Sequence, residues 1–151
     1  MKNLFTSKEA HEVIDRINQL DPDKVPQWGK MNADQMLAHC NVAYSFVFEP
    51  EKYKRPGPVK KFLLKTFVKK FVVGEQPYKR NSRTSPDFLI INKRNFEEEK
   101  HKLVSNIKKV QLLGENHFEG KDNMSFGSMT SKEWNILFYK HLDHHLQQFG
   151  V

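Results

Sequence analysis

The sequence predicts an all-α protein: an up-down four-helix bundle with an extra amphipathic helix in the long crossover between its second and third helices. Three observations predict it. Apolar residues recur at helical spacing in every long segment. Capping signatures stand in front of most of those segments. No stretch alternates apolar and polar residues with a period of two. With 151 residues the chain is read as a single domain over 1–151. That length buries a sizeable core without covalent staples, and the lone Cys40 excludes an internal disulfide.

The first helix is expected over residues 6–20. Thr6 or Ser7 can cap it, and Ala10, Val13, Ile14, Ile17 and Leu20 form its stripe before Asp21-Pro22 stops it. The second opens at Asn32, with Gln35 three residues on. Its apolar side runs through Met36, Cys40, Ala43, Tyr44 and Val47, flanked by His39 and Phe46, and it ends before Pro50. Pro58 suits the first turn of the crossover helix over 58–73. There Val59, Leu63, Phe67 and Phe71 centre one face and Lys61, Lys65 and Lys69 the other. The expectation is a helix packed on the bundle by its apolar face, its lysines solvated. A basic irregular loop follows. Residues 95–113 form the next helix on Phe96, Leu103, Ile107 and Val110, with Gly114 as its stop. After a loop, Thr130 and Glu133 open the last helix with a capping box.

Composition narrows the function. Apolar content of 38% and charged content of 28% are those of a globular chain. Apolar runs are too short to span a membrane, and the N-terminus passes at once into a charged helical pattern without a signal-peptide core. The cytoplasm is the expected location. The net charge of +7 is compatible with anionic partners, but the basic residues are scattered and no nucleic-acid motif accompanies them. Neither nucleic acid nor a membrane is expected as a partner; a small-molecule substrate is. Arg55, Lys79, Arg80 and Arg83 could collect an anionic one at the mouth of the site, or serve only to keep their loops soluble.

The chemistry concentrates in the last helix. Three of the seven histidines fall in "HLDHH" at 141–145. From Trp134 the positions i+4, i+7 and i+11 are Phe138, His141 and His145, so the two histidines extend a stripe that must face the core. Imidazoles one helical turn apart can grip one divalent ion, and His39 on the second helix is the best third ligand. A site of three neutral imidazoles leaves a coordination position open, the pattern of a reactive rather than structural ion. His144 borders the same face. Asp143 points away from it, and Asp34, Gln35, Glu12 and Asp15 are candidates to orient an imidazole. Cys40 is read as a small buried hydrophobe.

"HLDHH" matches the H-x-x-H-H end motif of the DinB/YfiT-like superfamily, and "MNADQMLAHCNVAY" and "SFGSMTSKEW" resemble its second helix and the approach to its last, in an uncharacterised branch. The resemblance implies a four-helix bundle, often dimeric, with a divalent metal on His39, His141 and His145. It leaves the metal open among Zn, Ni, Fe and Mn. Some members transfer low-molecular-weight thiols such as bacillithiol, mycothiol or glutathione to an electrophile, and others have no known reaction. The expected function is a metal-dependent enzyme that activates a thiol or water for transfer or hydrolysis. Its rival is a non-enzymatic, dimeric helical protein that binds a small hydrophobic or anionic ligand.

Overall fold

Helices account for most of the chain in the computed structural model, which describes residues 1–151. Helix α1 is Ser7–Asn18, with the Thr6 hydroxyl accepting from the Glu9 N–H. Helix α2 is Ala33–Phe48, opened by the Gln35 side chain, which accepts from the Asn32 N–H at 3.0 Å. The crossover segment α3 runs through Pro58–Leu63, a π-turn at Leu64–Val68, and Lys69–Val73. Helix α4 is Phe96–Phe118 and α5 is Ser131–Gln148, closed at its N-terminus by the Thr130/Glu133 capping box. These starts agree with the sequence reading because each cap satisfies N–H groups that the helix itself cannot.

Helix α2 packs against α4 and α5, α1 against the same two, and α3 against α5. The core between them holds the predicted stripes. Val13, Ile14 and Ile17 come from α1, Met36, Cys40 and Tyr44 from α2, Leu103, Ile107 and Val110 from α4, and Trp134, Phe138, Leu142 and Leu146 from α5. Each large apolar side chain fully buried here contributes roughly 1.5–3 kcal/mol. Tyr44 stacks on Phe138 with ring centroids 4.9 Å apart, and its hydroxyl has no hydrogen-bond partner. Cys40 is fully buried, and burial pushes its thiol up, so it is a core residue rather than a nucleophile.

Three expectations change. Gly114 does not end α4; it kinks the helix with φ +71°, and helical turns resume to Phe118. The loop that follows contains a small antiparallel ribbon, with Asp122 opposite Ser128 and Asn123 opposite Gly127. The third change is the orientation of α3. Leu64, Val72 and Val73 are the residues packed on the core, while Val59, Phe62, Leu63 and Phe67 lie exposed. Two of the lysines turn inward instead: Lys69 reaches Glu133 at 2.9 Å and Lys61 reaches Asp122 at 3.8 Å. The segment is apolar on two arcs, and the arc through Leu64 and Val72 is the one packed on the core, with Glu133 and Asp122 within reach of the lysines beside it.

Lys140 of α5 moors the end of α3. It is almost fully buried, and its Nζ donates to the carbonyls of Phe71, Gly74 and Gln76 at 2.8, 2.5 and 3.2 Å. The Tyr78 ring lies 4.3 Å from it. Burial pushes the ammonium down to about 8. Three carbonyls and a π-face are the compensation a buried cation requires. No helix is long and apolar enough to cross a membrane.

Candidate metal centre

Helices α2 and α5 bring the predicted ligands together. The ring of His39 lies 4.9 Å from that of His141 and 4.6 Å from that of His145, centroid to centroid. The His141 and His145 rings are themselves 4.9 Å apart. One ligating nitrogen from each lies within 4.8 Å of the others. This follows from the sequence geometry: His141 and His145 continue the buried Trp134–Phe138 stripe, and α2 faces that stripe with His39.

Hydrogen bonds set the protons on these rings. His39 Nδ1 lies 2.8 Å from the Phe88 carbonyl. A carbonyl can only accept, so the proton sits on Nδ1 and Nε2 keeps its lone pair. Gln148 fixes His145 in the same way. Its Nε2 donates to the Trp28 carbonyl at 2.6 Å, which turns its Oε1 toward His145 Nδ1 at 2.8 Å. His145 is therefore protonated on Nδ1 as well, with Nε2 free to ligate. His141 Nε2 lies 2.9 Å from His39 Nε2. Because His39 offers a lone pair there, His141 donates, and its Nε2 can ligate only after that proton moves to Nδ1.

The surroundings keep all three imidazoles neutral, the form that binds metals. Burial pushes His145 down to about 3, and the neighbouring His39 acts in the same direction. Burial holds His141 well below the usual imidazole range, helped by His145 and His39. Burial also lowers His39, against the opposing effect of its bond to Phe88. The donor set suits a divalent ion: imidazole is a common ligand for Zn, Ni, Fe and Cu, and outer hydrogen bonds to carbonyl groups are the usual supports of ligating histidines. Zn–N bonds of about 2.0–2.1 Å place two ligands about 3.3 Å apart at a tetrahedral angle, within the spread of distances found here.

The cluster lines a cavity of about 600 Å³, the size of a small-molecule site. Its walls include Trp28, Phe46, Leu64, Phe71, Tyr78, Phe88, Phe126 and Leu137. His144 lines it too, edge-on to Trp28 and to Tyr78 at 5.9 and 5.7 Å, outside the three-histidine group. Lys30, Lys54, Lys60 and Arg83 supply cations at the wall, against the single carboxylate of Asp87. Of the basic residues picked from the sequence, Arg83 lines the cavity, Arg80 lies 4.1 Å over the Trp28 ring, and Arg55 and Lys79 are not part of the lining.

None of Asp34, Gln35, Glu12 or Asp15 orients an imidazole. Asp34 accepts from the Arg94 N–H, Gln35 caps α2, and Glu12 pairs with Lys2. Asp143 faces away, bound to Arg16 at 2.7 Å. The orienting groups are instead a main-chain carbonyl and Gln148. Gln148 was legible in outline, since it stands three residues after His145 on one helix face. The Phe88 carbonyl had no sequence signal at all. Gly29 completes the support: its φ is +86°, and a Cβ there would collide with the Gln148 amide.

A family profile described as "Protein of unknown function (DUF1569)" matches residues 2–150. The chain belongs to the DUF1569 family. No curated protein and no solved structure matches it. For this DUF1569 chain, then, the site geometry bears the functional reading.

Proposed function

We propose that this DUF1569 protein is a metal-dependent enzyme of DinB/YfiT-like four-helix-bundle architecture, with a divalent ion held by His39, His141 and His145. The carrying observation is the convergence of three neutral imidazoles in the lining of a cavity with aromatic walls, two of them with Nδ1 already committed to an acceptor. Such an ion, when bound, lowers the pKa of a coordinated water or thiol toward neutrality and so supplies a nucleophile. The chain's own residues do the rest. Phe88 and Gln148 keep two Nε2 atoms aimed inward. The aromatic walls exclude water and receive an apolar substrate body, and Lys54, Lys60 and Arg83 favour an anionic group on it. The reaction class is transfer to, or hydrolysis of, a small electrophile. A low-molecular-weight thiol is one candidate co-substrate, on the strength of the superfamily resemblance.

Elemental analysis of untagged protein tests this reading. A stoichiometric divalent metal, lost in both His141→Ala and His145→Ala, is the expected result. Full metal in either variant overturns the ligand assignment. A wild-type protein that takes up no divalent metal points instead to a non-enzymatic binding protein, in which the His141–His39 hydrogen bond is the resting state of the cluster.

A further inference from the structure

Six of the twelve large apolar side chains that lie exposed belong to α3. Val59, Phe62 and Phe67 are 74%, 65% and 69% exposed, with Leu63 between them at 48%. These four positions share one helical face. Lys60, Lys65 and Lys70 are exposed around them. Between Glu51 and Glu75 the chain carries eight lysines and arginines and no carboxylate. The segment is held to the body by the inward lysines and by Lys140, so its apolar arc is presented rather than loosely hung.

We propose that this face seats the protein on an anionic membrane surface. An apolar arc rimmed by lysines is the chemistry of a helix lying at the headgroup boundary, and the unbroken positive charge of residues 52–74 is complementary to anionic lipid. A second copy of the chain is the poorer occupant: a two-fold contact sets the same surface against itself, which brings two carboxylate-free, lysine-rich segments face to face. The same helix walls the cavity through Leu64 and Val68. Seating α3 on lipid therefore places the cavity wall beside the membrane, where amphipathic substrates partition. The membrane contact does not depend on the metal reading.

Sedimentation with vesicles tests it, using phosphatidylcholine alone and equal parts phosphatidylcholine and phosphatidylglycerol. The wild-type protein is expected to pellet with the anionic vesicles only, and to be released by added salt. Phe62→Ser/Phe67→Ser and Lys60→Glu/Lys65→Glu/Lys70→Glu are each expected to weaken binding at least about tenfold while keeping the wild-type circular dichroism, since every altered side chain is exposed. Three results overturn the proposal. One is failure to bind anionic vesicles at low salt. Another is binding unchanged by the phenylalanine pair. The third is a sedimentation-velocity dimer that the phenylalanine pair abolishes, which assigns the face to a second copy.

Discussion

His145 can hold its proton on Nδ1 only because Gln148 presents an oxygen, and Gln148 presents that oxygen only because its amide is spent on the Trp28 carbonyl. The chain of dependence runs from a loop ahead of α2 to His145 on α5. Gln148→Ala removes the acceptor and leaves the ring free to take either tautomer. Metal affinity is expected to fall about 10- to 100-fold, with the fold intact, measured by competition against a chromophoric chelator. Tyr44 offers the opposite kind of residue test. Its hydroxyl is buried without a partner, and such a group costs about 1–3 kcal/mol. Tyr44→Phe keeps the stack on Phe138 and deletes the unpaired group, so it is expected to raise the urea midpoint; a lower midpoint would contradict the assignment of that hydroxyl as unsatisfied.

Among the elements, α3 is where sequence periodicity and structure part. A helix with two apolar arcs does not say which arc is buried; the choice belongs to what it meets. Here Glu133 and Asp122 draw Lys69 and Lys61 inward, and Lys140 anchors the C-terminal end through three carbonyls. Lys140→Met strips those carbonyls of their donor. It is expected to destabilise the protein by about 1–3 kcal/mol and to speed amide hydrogen exchange around residues 71–78 more than in α1. Uniform loss of protection would show that Lys140 serves the whole core instead. By contrast the bounds of α2 and the start of α5 were legible almost to the residue. Their caps are local, and large apolar side chains such as Trp134, Phe138 and Tyr44 mark the buried face of each helix. Gly114 was legible as a break but not as a kink, because whether a helix resumes after a left-handed residue depends on what Phe118 packs against.

At the scale of the whole molecule, the buried histidines link stability to pH. Unfolded imidazoles titrate near 6.5, whereas His39, His141 and His145 titrate lower in the fold. Below pH 6.5 the unfolded chain therefore binds more protons than the folded one, and stability falls as pH falls, down toward the His145 value of about 3. His145, with its folded value far below the window, contributes a slope approaching about 1.4 kcal/mol per pH unit there, and His39 and His141 act in the same direction. Chelator-treated protein is expected to lose urea resistance between about pH 6.5 and 5, above the range where carboxylates dominate. His39→Gln/His145→Gln should flatten the curve; an unchanged slope would place the proton uptake elsewhere. A divalent ion bound only by the folded chain should raise Tm, with about 2.7 kcal/mol added at a hundredfold excess over Kd. The sequence by itself determined the helical class, the helix starts and the inward direction of His141 and His145, because caps and 3.6-residue periodicity act within a few residues of chain. Only the tertiary structure decided that His39 meets them, that Phe88 and Gln148 hold their protons, and which face of α3 is left bare, because those outcomes depend on groups far apart in sequence competing for the same partners in space.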